Sequence, residues 1–313
     1  MSWAWNAVSG VYSNHAMSEK IREEGIGDSL FMKFITPEPG YGKKKGESIT
    51  ITRILQLPLA GRVSETERLP SGRPAVETGS VTVSEWGYMC ETTEFEENLT
   101  FFDLRNKFQK MLRDQITLTM DKMVADVAKT TQLILVPHDT SGDDSAFETD
   151  GAPSVQANIN LGVTHLRMIH DKLRNIKCPP FRNGQYIGIL STRCARGIKN
   201  DSEYKDWQAP TTSEPLITGK LKSIEGFDLY ETNNADSLAD LAGHSTVCGE
   251  AVFFGDDWAF TAVIQDPELR AGIPQNLGRF REFGWVGTLD AGLTWPTTSA
   301  RWANQRVIFV TSS

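Results

Sequence analysis

The sequence predicts an α+β fold, with strands and helices in separate stretches of one 313-residue chain. Three observations carry this. Ser48-Ile49-Thr50-Ile51-Thr52 and Ser80-Val81-Thr82-Val83-Ser84 alternate polar and apolar residues, the period of a half-buried strand. Between residues 104 and 127, apolar residues recur instead at helical spacing. Beyond residue 185, short apolar runs alternate with polar loops.

Taken in order, residues 1–45 are poor in core signals. Trp3 and Trp5 stand among small residues, and a weak helical stretch covers 18–24. Gly25, Gly27, Pro37, Pro39, Gly40 and Gly42 then punctuate the chain. This reads as an arm that lies on something else.

Residues 46–92 read as two long strands joined by a long tip. The tip, 61–79, is rich in Gly, Pro, Ser and charge, with Arg62, Arg68 and Arg73 balancing Glu65, Glu67 and Glu77. An isolated two-stranded hairpin is marginal in water, so this one needs a surface to lie on. Its own chain or a neighbouring copy could supply it. Mixed charges suit pairing across an interface, although an exposed pair contributes only about 0–1 kcal/mol.

The clearest helix covers 100–130. Thr100 followed by Asp103 is a start signal. Leu104, Phe108, Met111, Leu112, Ile116, Met120, Met123, Val124 and Val127 form the apolar stripe, and Arg105, Lys107, Lys110, Arg113, Asp114, Lys122 and Asp126 the opposite face. About 28 residues would span roughly 40 Å, longer than the usual globular helix.

Thr131 to Val136 reads as a short strand ending at Pro137, and 138–154 as an acidic loop. A second helix runs from about 164 to 175, with Leu166, Ile169 and Leu173 apolar, and Pro179-Pro180 closes that unit. Tyr186-Ile187-Gly188-Ile189-Leu190 reads as a buried strand. Phe227-Asp228-Leu229-Tyr230, Ala251-Val252-Phe253-Phe254 and the closing Arg306-Val307-Ile308-Phe309-Val310 are further strands.

Composition narrows function. Apolar residues make up 39% and charged residues 23%, which excludes global disorder. A globular chain of this length buries roughly 75% of its unfolded surface, so it needs no disulfide or metal to fold. The net charge of −8, with Lys and Arg spread thinly, argues against a tight grip on nucleic acid. It suits a wall that must not stick to a stored polyanion. Cys90, Cys178, Cys194 and Cys248 fit neither a zinc site nor a disulfide framework, and read as free thiols in a reducing compartment. No apolar run reaches membrane-spanning length, and residues 1–10 lack signal-peptide character.

The motifs of catalysis do not assemble. His165 and His170 lie five apart, about 140° around a helix, so they read as surface histidines rather than metal ligands. Gly42-Lys43 and Gly219-Lys220 are not followed by Ser or Thr, so neither is a phosphate-cradling loop. Asp139, Asp143, Asp144, Glu148 and Asp150 lack the order of a calcium loop, and Asp256-Asp257 reads as a turn. There is no Gly-x-Ser-x-Gly elbow. No catalytic residue, metal or cofactor is expected.

The order of parts (arm, hairpin, long helix, mixed sheet) resembles the Hong Kong 97-type major capsid fold of tailed bacteriophages. The branch it most resembles, found among short-tailed phages, runs the hairpin directly into the long helix. Gly46-Glu47-Ser48-Ile49-Thr50-Ile51 resembles the rising strand of the extended loop, and Leu57-Pro58-Leu59 leads to its tip. Residues 88–96 resemble the return, entering Phe101-Phe102-Asp103-Leu104 at the head of the spine helix. Asn183 to Leu190 resembles the strand entering the axial domain, and 249–255 and 278–287 its later strands.

The resemblance implies an arm at 1–45, an extended hairpin loop at 46–92 and a peripheral domain with the spine helix at 93–184. It puts an axial domain at 185–284 and C-terminal strands returning to the sheet at 285–313. The implied function is a major capsid protein, assembling as hexamers and pentamers of an icosahedral shell in the host cytoplasm. Its implied partners are a separate scaffolding protein, a portal protein, possible cement proteins and, weakly, packaged DNA. The tip charges would be subunit contacts and the helix stripe internal packing. An encapsulin-like nanocompartment shares the fold, and a soluble hydrolase with scattered carboxylates is the distant alternative.

Overall fold

The computed structural model describes residues 27–38, 41–55, 57, 59–63, 65, 68–69, 71–100, 103–138, 147–181, 184–208, 223–241, 248–295 and 306–312. Most of the arm, including Trp3, Trp5 and the 18–24 stretch, lies outside them. So do Phe101, Phe102, Asn183 and much of the acidic loop, with Asp139, Asp143 and Asp144.

A 3-10 turn, Phe31–Phe34, leads to β1, Thr36–Pro37. The hairpin is β2, Ser48–Ile54, against β3, Val76–Thr82. It is antiparallel, with Ile49 opposite Val81 and Arg53 opposite Glu77. The alternation at 48–52 and 80–82 therefore falls in paired strands. The return strand differs from the expectation. After Val83 the chain enters β4, Ser84–Thr93, which pairs not with the hairpin but with β11, Phe280–Leu293. β11 also pairs with β10, Ala259–Ala271, whose other edge takes β1, giving the order β1-β10-β11-β4. A boundary at residue 284 would fall inside β11.

Helix α1, Glu94–Leu99, starts on a capping box in which Thr93 and Glu96 satisfy each other's backbone N–H groups. Helix α2, Leu104–Lys129, is capped by Asp103, which accepts from the Asn106 N–H at 3.2 Å. Its 26 residues span about 39 Å. Leu112, Met120, Met123, Val124 and Ala128 are buried in one continuous core, and Phe108, Ile116 and Val127 pack partly buried against it. Each fully buried Leu, Met or Val contributes about 1.5–3 kcal/mol. Leu104 is half-buried, whereas Met111 is 62% exposed and adds nothing to this packing.

The second sheet has six strands. Its order is β6 (Phe147–Glu148), β5 (Ile134–Leu135), β12 (Val307–Val310), β9 (Ala251–Phe254), β7 (Tyr186–Ser191) and β8 (Phe227–Thr232). β7 lies between a parallel and an antiparallel neighbour and is buried throughout, which explains its unbroken apolar run. Gly188 is required there, because a Cβ would collide with Phe253 and Leu229. Between β7 and β8 lie α4, Thr192–Asn200, and α5, Ser202–Gln208.

Helix α3, Val163–Asn175, follows β6. His165 on it is buried, not on the surface as the sequence suggested. Its Nδ1 accepts the Gly162 N–H at 3.1 Å, while Asp201 accepts the Val163 N–H at 2.8 Å, so both groups cap α3. His170 is only partly exposed and meets Tyr186 and Phe227 edge-on, with centroids 5.8 and 6.0 Å away.

Candidate assembly surface

The hairpin divides into a seated base and an uncovered tip. On the base, Ile49, Ile51 and Arg53 of β2 and Gly79 and Val81 of β3 turn inward. Ile51 and Val81 meet Phe260, Ala291 and Leu293 around a cleft of about 330 Å³. Val81 sits so close to Gly292 that any Cβ there would collide with it. The chain's own body thus supplies the surface that the base requires.

Arg53 is the charged member of this seat. It is 6% exposed, lies 5.7 Å from the Trp295 ring and faces Glu77 across the hairpin. Burial lowers its pKa, and the Glu77 charge partly opposes that. Trp295 also carries Arg306, 4.5 Å from its ring, and Arg306 reaches Asp257 Oδ2 at 2.9 Å. Trp295 therefore has a guanidinium from the hairpin and one from the sheet domain stacked on it.

Beyond Leu55, no described residue covers the tip. Leu59 is 95% exposed and Leu69 79%, and Ile54, Leu57, Val63 and Val76 are exposed as well. Arg62, Glu65, Arg68 and Arg73 are exposed, and among the described residues they form no ion pair. Glu77 is half-buried in β3, and Glu67 lies outside the described residues. The sequence singled out the charges as contacts and gave the apolar residues around them no contact role. Leu57, Leu59, Val63 and Leu69, set in a Gly- and Pro-rich segment with no strand of their own, were the available signal.

A second uncovered apolar group lies where β10 turns into β11. The Glu94 N–H donates to Arg279 O at 2.9 Å, and Arg281 pairs with Glu97 at 2.6 Å, fixing α1 beside that turn. The ledge so formed presents Phe95, Leu99, Ile273 and Leu277, exposed by 70% or more. β4, at the edge of its sheet, adds exposed Tyr88 and Met89. Scattered apolar residues are normal on a surface, but grouped ones mark contact sites.

Chemistry is sparse among the described residues. No group of three or more His, Cys, Asp or Glu could hold a metal. Asp256 and Asp257 form a turn whose carbonyls accept from Arg306. No described helix is long and apolar enough to cross a membrane.

No protein-family model matches the chain, and no curated protein matches it. Solved structures do. The capsid of cyanophage Pam1 superposes with a TM-score of 0.73 at 13% identity, covering 98% of both chains. The capsid of cyanophage P-SCSP1u gives 0.67 at 10% identity, over 96% of this chain and 93% of that one. The capsid of Ralstonia phage GP4 gives 0.65 at 14% identity, over 100% and 99%. Identities this low speak for the fold alone. The chain has the α+β, Hong Kong 97-like capsid fold.

Proposed function

We propose that this chain is the major capsid protein of a tailed bacteriophage, a structural subunit that self-assembles into an icosahedral head. The single observation that carries the reading is the uncovered hairpin tip on a chain whose fold matches capsid subunits along nearly its whole length. A segment exposing six large apolar side chains gains from a partner, at about 1.5–3 kcal/mol for each one fully buried. Many such modest contacts, repeated by closed symmetry, hold a shell together.

In this reading the seated base fixes the direction of the hairpin, and the tip reaches a neighbouring subunit. Arg62, Glu65, Glu67, Arg68 and Arg73 set register at that contact, with apolar neighbours giving most of the binding. Hexamers and pentamers form around the six-stranded sheet as the axial part, which draws on β5, β6 and β12 as well as on 185–284 and so replaces the split at residue 184. The four-stranded sheet and α2 form the peripheral part. Scaffolding and portal proteins, and cement proteins where present, complete the particle, which assembles in the host cytoplasm. DNA contact is weak and non-specific, in keeping with the net charge of −8. The short-tailed branch is part of the proposal; between the hairpin and α2 the chain passes through β4 and α1. No catalytic role is assigned.

Negative-stain electron microscopy of the purified protein, with and without its scaffolding protein, tests the reading. Closed shells, or rings of five and six, are the expected result. A monomer under every assembly condition would overturn it.

A further inference from the structure

Cys194 on α4 and Cys248, just before β9, are 54 positions apart in sequence, yet their Sγ atoms lie 3.5 Å apart. Both side chains are fully buried. Neither belongs to the hairpin or the ledge, and the capsid reading uses neither. From this juxtaposition we propose that Cys194 and Cys248 are a latent disulfide site, closed by a peroxide-class oxidant and locking α4 to the strand that enters the sheet at β9.

The geometry asks for little movement. A sulfur–sulfur bond is about 2.05 Å, so the two atoms must close by roughly 1.5 Å, within reach of small side-chain rotations. The environment also assigns roles. The two sulfurs share a hydrogen bond that either can donate, and it raises the Cys194 pKa, as burial does too, and lowers that of Cys248. The Leu161 backbone and the Arg193 charge favour the Cys248 thiolate further. Cys248 is therefore the attacking sulfur and Cys194 the resolving one.

The reaction balances with one peroxide per pair. The Cys248 thiolate attacks a peroxide oxygen, the O–O bond breaks, and the departing hydroxide takes a proton to become water. The Cys248 sulfenic acid is then attacked by Cys194, whose proton leaves with the displaced hydroxide as a second water. Both thiols are oxidised, and hydrogen peroxide is reduced to two waters. A neutral oxidant near water in size suits a buried pair, entering through local openings.

The other two cysteines serve as controls. Cys90 is half-buried on β4, and burial pushes the Cys178 thiol up to about 12, where it is unreactive near neutrality. The test uses the full-length chain, reduced and then exposed to hydrogen peroxide, and stands without the capsid reading. Thiols are alkylated under denaturing conditions and the digest is read by mass spectrometry. The expected result is a Cys194–Cys248 linked peptide, with a melting temperature raised by roughly 5–10 °C and restored by dithiothreitol. C194S and C248S should each lack the link and the shift, and C90S should keep both. The wild-type digest decides the matter even where a serine variant folds poorly. Both thiols still reduced at a dose that oxidises Cys90 would overturn the proposal. So would unlinked sulfinic or sulfonic acids at 194 and 248, or a link that leaves the melting temperature unchanged.

Discussion

Asp121 Oδ1 accepts the backbone N–H of Phe31 at 2.8 Å, joining the middle of the long helix to a segment 90 residues earlier. The carboxylate is fully buried and also accepts from Ser29 Oγ at 3.1 Å and Ser237 Oγ at 2.9 Å. Three parts of the chain meet on one side chain. A buried carboxylate is tolerable only with such donors. Asp121→Ala would strand the Phe31 N–H and the Ser237 hydroxyl, and should cost about 3 kcal/mol in urea denaturation. Asp121→Asn keeps an acceptor for Phe31 and should cost about 1 kcal/mol. Proteolysis should cut D121A near residue 30 before the wild type. Equal stability of all three proteins would show that the segment is held elsewhere.

The hairpin tip should matter to assembly and not to folding. Replacing residues 56–74 with Asn-Gly keeps the ladder up to Leu55 and Ala75, with a dipeptide suited to a two-residue turn. Because the described residues of the removed tip are exposed, stability should change by less than about 1 kcal/mol. Shells should be lost from electron micrographs while circular dichroism stays unchanged. A variant that still builds shells would remove the tip from the interface.

The ledge gives a sharper test, because one atom group is changed. Leu277 is fully exposed in a turn that α1 braces. Leu277→Asp should leave the melting temperature within about 2 °C and stop assembly, since it puts a charge into an apolar contact. Normal shells from L277D would restrict the interface to the hairpin.

Local signals in the chain were legible and distant pairings were not. Ile49, Ile51 and Val81 announced the hairpin because a period of two is a local property. The stripe on α2 was equally visible, yet Met111 shares its spacing and is exposed, since spacing does not say where a helix leaves the core. Val83 alone separates β3 from β4, so the two read as one strand. Their partners differ because β11 arrives about 200 residues later. Nothing in the local pattern singles out Asp121, as its donors come from residues 29, 31 and 237. His165 looked exposed because its capping role depends on Gly162 and Asp201 arriving at the same helix end. On the candidate surface the tip charges were legible, but exposure of the apolar residues between them depends on what the rest of the chain leaves uncovered.

Cys178 predicts an alkaline limit to stability. Its thiol is pushed up to about 12, chiefly by burial, against opposition from Arg306 and a Gly255 backbone hydrogen bond. The ordinary value is 9.0. Below pH 9 the thiol is protonated in folded and unfolded chains alike, and its contribution is fully present. Between pH 9 and about 12 the unfolded chain releases this proton and the folded one retains it. Stability therefore falls as pH rises through that window, by at most about 1.4 kcal/mol per pH unit from this group. Cys178→Ala should lower stability at pH 8 by about 1–2 kcal/mol, through the lost packing of the sulfur. It should also flatten the decline above pH 9 relative to the wild type. Urea midpoints from pH 8 to 11 give the comparison. Parallel declines in the two proteins would mean that other groups, such as Tyr186, whose pKa burial also raises, set the alkaline limit.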